Sequence, residues 1–261
     1  MNIKNIAVAF VKYAAVIAFW IGVWCVAAYR TDSELLFPSP SSVAKALGEL
    51  IVTKEFWITT AYSLLRVIAG ILMSLVIGSA LAILTERLSI LKLMLSPIIS
   101  IVKSTPVASF IILALLWIDR SELPILITAL IVVPIVWSNV SEGIRSVDKD
   151  LLEVAKIYDF SLIKRITKLH VPSVAPFFIA ACRSSLGMAW KAGISAEVLA
   201  TPENAIGREL YFSKTYLETP SLCAWTLVVI VLSIIIEKLF IAMLSRIGKR
   251  MNIALKGEKN D

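Results

Sequence analysis

Residues equipped for covalent or metal chemistry are sparse in this chain of 261 residues. There is one histidine, His170, and three cysteines, Cys25, Cys182 and Cys223, each cysteine in or beside an apolar run. Neither metal-ligand spacing nor a disulfide framework is visible, so zinc sites and Ser-His-Asp triads are poorly supplied. The cysteines read as small hydrophobes and His170 as an interfacial residue; no catalytic residue, metal or cofactor is expected. No Gly-x-x-x-x-Gly-Lys-Ser/Thr or Gly-x-Gly-x-x-Gly run occurs, so the chain lacks a recognised cradle for nucleotide.

The chemistry on offer is charge set against apolar sequence. The longest charged interval inside the chain is Ser146–Pro172, SVDKDLLEVAKIYDFSLIKRITKLHVP. It reads as two short helices joined by a tight turn, with Asp148 and Ser161 as their N-caps. The first helix carries Leu151, Leu152, Ala155 and Ile157; the second carries Leu162, Ile163, Ile166 and Leu169. Six Lys or Arg, from Arg145 to Lys168, surround them, and Pro172 closes the segment. Such a pair suits docking: an apolar side enters a groove while charges set the orientation. Elsewhere Lys103, Arg183 and Lys191 lie in or beside apolar runs, where a charge is expensive. They would give a pathway a field suited to an anion, or snorkel to an interface, or pair with Glu197. Pro106, after Lys103-Ser104-Thr105, removes a backbone donor, so its run breaks there to line a cavity or kinks between packed helices.

The elements that must hold these residues are membrane spans. The chain is 58% hydrophobic with mean hydropathy +0.84, well above soluble usage. Six apolar runs stand out, near residues 13–28 (extendable back to residue 6), 62–84, 93–118, 123–139, 172–190 and 222–244. The first is retained as a span rather than cleaved as a signal, because it is long and carries bulky Trp20 and Trp24. A helix over 42–52 lies on the membrane surface. Residues 191–200 are too short to span afresh, and 201–220 form a polar stretch. Gly70, Ser74, Gly78 and Ser79 give the second span small residues for close helix contact. The net charge of +7 is not a nucleic-acid signal. With loops assigned alternately, Lys and Arg gather on one side: the N-terminus, the 85–92 loop, the 146–172 loop and the tail from residue 245. By the positive-inside rule that side is cytoplasmic, and so are both termini.

At residues 153–172 the chain resembles the cytoplasmic EAA loop of ABC-importer permeases: Glu-Ala-Ala, three residues, Gly, nine residues, Ile, one residue, Leu-Pro. Glu153, Val154 and Ala155 match the start, Leu169 falls on the Ile, and Val171-Pro172 on the closing pair. Asp159 replaces the Gly, at a turn where positive φ is plausible and Asp tolerates it at some cost. FPSPSSVAKAL and SLLRVIAGILMSLVIGSALAILTERL, with Arg66, also look like this family, as do RSVDKDLLEVAK and LGMAWKAGISAEVLA. The likeness covers about residues 36–245 and is nearest the nitrate/sulfonate/taurine-type subgroup, which implies a translocation pathway for a small solute, a sulfonate-, nitrate- or taurine-like anion or a vitamin precursor. It implies an all-α type I importer fold of six transmembrane helices in one permease domain: an N-terminal span and outer loop (1–35), a core (36–245) and a basic cytoplasmic tail (246–261). It implies residence in the bacterial inner membrane, a homodimeric ATPase partner, a second permease copy and an external solute-binding lipoprotein, with lipid around the spans and no nucleic acid. ATPase coupling would fall to Leu152, Glu153, Ala155, Asp159, Ser161, Ile163, Leu169 and Pro172. The pathway would involve Lys103, Pro106, Arg183, Lys191 and Glu197, the last near an outer gate. A secondary transporter would need paired broken helices; the sequence offers one broken span.

Overall fold

A chain this apolar must satisfy its backbone hydrogen bonds within each segment, and helices do so without water. The structure, a computed structural model, describes residues 3–250, with side chains described throughout from residue 14 to residue 244. The end of the basic tail, with Lys256 and Lys259, lies outside the described residues. Among those described, regular structure is helical: α1 (Ile3–Thr31), α2 (Pro40–Ile51), α3 (Lys54–Arg87), α4 (Ser89–Ser104), α5 (Val107–Ala114), α6 (Leu123–Arg145), α7 (Lys149–Ile157), α8 (Leu162–Arg165), α9 (Val171–Ala200), α10 (Ile206–Thr215) and α11 (Thr219–Arg250). A single π turn, Ile166–His170, joins α8 to α9.

Among the described residues five helical stretches are long and apolar enough to cross a bilayer, and α4 with α5, bent by 104°, passes the same test only when the pair is taken together, as a broken span or a re-entrant loop. The bend falls at Thr105-Pro106, where Pro106 opens α5. Pro97, Pro134 and Pro176 sit inside helices without breaking them.

The core is a stack of α3, α6 and α9. Gly70, Ser74, Gly78 and Ala82 recur every fourth residue, so they form one stripe of α3, and all are buried. A Cβ on Gly70 would lie 2.7 Å from Thr128 Cβ, and one on Gly78 would lie 2.7 Å from Val136 Cβ. Only hydrogen at those positions lets α3 and α6 approach so closely. Gly193 plays the same part on α9, its hypothetical Cβ falling 2.6 Å from Val67 Cγ2. Since 70 faces 128 and 78 faces 136, α3 and α6 run parallel. Gly143 faces Phe177 and Gly193 faces Thr128, so α9 runs antiparallel to both. The 146–170 segment therefore lies at one end of the stack, and the 201–206 loop at the other.

Several boundaries differ from the sequence reading. Residues 191–200 are the last turns of α9, because Gly193 and the alanines around it pack into α3, α5 and α6. The polar stretch 201–220 contains α10, an amphipathic helix too short to show as an apolar run. The surface helix begins at Pro40, capped by Ser39, whose hydroxyl accepts from Ser42 N at 3.2 Å. Ser79 is only half-buried and lies off the α3–α6 stripe. Residues 14–31 of α1 are nowhere buried; Trp24 Nε1 ties this helix to Pro38 O at 3.0 Å.

Candidate functional site

The 146–170 segment is an elbow of two capped helices. Asp148 accepts from Asp150 N at 2.8 Å, and Ser161 from Lys164 N at 3.4 Å, so both predicted caps form. Asp159 has φ of 45°, the left-handed conformation. Asp159 N donates to Lys156 O and Phe160 N donates to Ala155 O, which makes the turn a Schellman motif with Asp in the usual glycine place. Lys164 Nζ stands 4.7 Å from the Phe160 ring centroid. The second helix is not α-helical as far as Leu169. It widens into the π turn, Val171 N donating to Ile166 O five residues back, and continues as α9. Pro172, expected to end the segment, sits in the first turn of α9, directly after the π turn, and leaves the helix continuous.

The elbow is tied to the stack behind it. Glu86, at the end of α3, accepts from Arg145 Nη2 at 2.7 Å and Nε at 3.0 Å, and from Lys92 Nζ at 2.9 Å. Three helix ends are thereby clamped by one carboxylate. Beside it, the buried Trp137 Nε1 donates to Thr85 Oγ1 at 2.9 Å.

Of the residues read as coupling residues, Glu153, Asp159, Ser161, Ile163 and Pro172 are exposed, and Leu152 and Leu169 are half-buried. Ala155 is buried against the permease itself. The apolar residues left open are Leu151, Val154 and Ile157 of α7, Tyr158 at its C-cap, and Leu162 and Ile163 at the start of α8, with Ile157 77% and Ile163 74% exposed.

On α9, Ser184, Met188, Lys191 and Ser195 recur at intervals of four, three and four residues and share one exposed face, with Arg183 on its flank. Arg183, Lys191 and Lys103 make no ion pair among the described residues, and Lys103 and Pro106 are exposed at the α4–α5 bend.

Glu197 is on the other side of α9, fully buried. Its partner is Arg66, not Arg183, Lys191 or Lys103. Glu197 Oε2 accepts from Ser63 Oγ at 2.7 Å and Gly207 N at 3.2 Å, and Oε1 accepts from Arg66 Nη1 at 3.4 Å. Arg66 also donates to Asn204 O at 2.9 Å and Glu203 O at 2.8 Å, and Ser63 Oγ accepts from Ile206 N at 2.9 Å. This polar junction closes the end of the stack remote from the elbow. It holds the tight 201–206 loop, in which Thr201 and Asn204 both have φ of 48°. Sequence reasoning misses the Arg66–Glu197 pairing, since 131 residues separate them.

Residues 70–253 match the family of the binding-protein-dependent transport system inner membrane component. The chain is 26% identical over 234 residues to SsuC of Bacillus subtilis, named for aliphatic sulfonates transport, covering 89% of this chain and 83% of that protein. It is 22% identical over 241 residues to the taurine transport system permease protein TauC of Escherichia coli, covering 90% and 86%. With the nitrate import permease protein NrtB of Synechocystis it shares 27% identity over 202 residues, 72% of each chain. The stacked spans, the elbow and these likenesses agree. This chain belongs to the binding-protein-dependent inner membrane components: it is a multi-pass permease subunit of an ABC importer, with the type I permease fold.

Proposed function

We propose that this permease carries a small anion of the sulfonate, taurine, nitrate or bicarbonate kind, moved by an ATPase dimer that grips the elbow. The observation that supports this is the elbow's open surface. Val154, Ile157, Leu162 and Ile163 face solvent among basic residues, on a segment clamped from behind by Glu86. Exposed apolar side chains on a rigid, charged mount suit a partner groove. In this reading the elbow and both termini are cytoplasmic, as the distribution of Lys and Arg favours. ATP hydrolysis belongs to the separate subunit. Two permease copies, of this same chain, form the pathway, and a solute-binding lipoprotein delivers solute to the opposite face.

The route from elbow to pathway is short. Helix runs from Leu162 through the π turn to Ala200, 39 residues, or about 58 Å at ~1.5 Å per residue. Closure of the ATPase dimer draws the two elbows together, and α9 moves with α8 because no loop intervenes. Arg183 and Lys191 then swing on the open face of α9, and access alternates by rigid-body rocking. The junction around Glu197 keeps the outer loop in place near the outer gate.

The test is Ile163→Asp with Ile157→Asp in the reconstituted importer. Placing a carboxylate where an isoleucine enters the groove forfeits about 1.5–3 kcal/mol per site, so uptake should fall at least about tenfold while the thermal midpoint of the isolated permease stays put. Uptake within twofold of the parent would remove the elbow from the mechanism.

A further inference from the structure

Behind the elbow is a cavity of about 680 Å³, within the ~300–1,000 Å³ range of ligand pockets. Its walls are apolar, among them Val140 and Ile144 of α6, Phe178 of α9 and Leu244 of α11. Its polar rim is Arg87 at the end of α3, Arg165 at the end of α8, and His170 in the π turn. The lining extends down α3 from Arg87 to Ser79, eight residues earlier in the helix, or roughly 12 Å at ~1.5 Å per residue. Neither arginine makes an ion pair among the described residues. Glu86 also lines the cavity, but its carboxylate is already held by Arg145 and Lys92. The hydroxyl of Ser79 is shielded from solvent and has no hydrogen-bond partner. Cationic groups at helix ends above an apolar shaft that enters the bilayer match one ligand chemistry: a phosphate diester carrying acyl chains.

We propose that this cavity seats an anionic phospholipid of the elbow-side leaflet, its phosphate between Arg87 and Arg165 and one acyl chain along Phe178 and Leu244. His170 supplies a further polar contact, and an ester carbonyl is an acceptor for Ser79. The lipid would fill the space beneath α8 and the π turn, where the helix is widened, and so brace the elbow against the stack. The leaflet rests on the orientation proposed above; the binding does not.

The experiment is native mass spectrometry of the solubilised full chain after exchange into phosphatidylglycerol or phosphatidylcholine. The parent should retain one phosphatidylglycerol per chain and discriminate against phosphatidylcholine. Arg87→Gln with Arg165→Gln should reduce that retention about tenfold or more. Lys149→Gln with Lys156→Gln removes the same charge from the same segment outside the lining and should leave retention intact. Ala175→Phe, which fills the shaft, should lower retention of both lipids while the thermal midpoint holds. Four outcomes overturn the proposal: an empty parent, as expected if a second copy or the ATPase fills the space; equal retention of the two lipids; unchanged retention in the arginine variant; or an equal loss in the lysine variant. No ATPase is present, so an Ile163→Asp chain that keeps its lipid but fails in transport, or the reverse, separates this site from the coupling reading.

Discussion

Glu197→Ala is the perturbation whose cost is most completely written in the contacts. The carboxylate is fully buried and accepts from Ser63 Oγ, Gly207 N and Arg66 Nη1. Alanine leaves the Ser63 hydroxyl and the Gly207 amide without their acceptor, at about 1–3 kcal/mol for a buried unsatisfied donor. Hydrogen bonds within membrane proteins average nearer ~0.6 kcal/mol, so the lower half of that range applies. The guanidinium keeps the carbonyls of Glu203 and Asn204, which reduces the penalty of an orphaned buried charge below its usual ~3–5 kcal/mol. The balance is about 3 kcal/mol, or on the order of 10 °C at ~2–4 °C per kcal/mol for a chain of this size. Cys182 is buried while Cys25 is exposed and Cys223 half-buried, so in a Cys25→Ser, Cys223→Ser background labelling with a thiol-reactive dye on heating reports opening of the stack. Glu197→Gln keeps one acceptor oxygen of the same shape and should lose less than half as much. Combining Glu197→Leu with Arg66→Met should be milder than the sum of the two single changes by at least ~1 kcal/mol, because neither partner is left alone. An alanine variant within ~1 kcal/mol of the parent, or a glutamine variant as damaged as alanine, would refute the account of the junction.

Three further variants test other parts of the structure. Gly78→Leu drives a side chain into Val136, whose Cγ1 lies 2.9 Å from where the Cβ would sit; it should destabilise by at least about 1–3 kcal/mol. Gly48→Ala in α2 meets nothing within 4 Å, so it should be neutral or stabilising by up to ~1 kcal/mol; the same thermal labelling reads both, and equal effects would sink the packing argument. Arg183→Gln with Lys191→Gln should cut uptake of an anionic solute about tenfold or more, as expected when a positive field is removed from a pathway, with the thermal midpoint unmoved; unaltered uptake would take the α9 face out of the route.

The features legible in the sequence are those set by near neighbours. A cap needs one oxygen within a few residues, so Asp148 and Ser161 reveal themselves. The α4–α5 break needs only Pro106, and the α3 stripe only small residues at fixed spacing. Even Asp159 is readable, because a left-handed turn has few tolerable occupants and Asp is among them. The sequence does not reveal which face of a helix the rest of the chain covers. Glu153, Val154 and Ala155 fall at the start of a family motif, yet Ala155 is buried while Val154, and Ile157 and Tyr158 beyond it, are exposed. Hydropathy cannot make that distinction, since core, lipid and partner all select apolar side chains. Charge inside a span is ambiguous in the same way. Arg66 and Arg183 each sit on a long apolar helix, but one has a buried carboxylate and two carbonyls within 3.4 Å, and the other has no ion pair among the described residues. A cation so completely satisfied contributes to fixing the fold, whereas one left open remains available to solute, lipid or a second chain. The distinction that matters for transport is therefore the partner set of each charge, and it arises only when residues 131 positions apart are brought together.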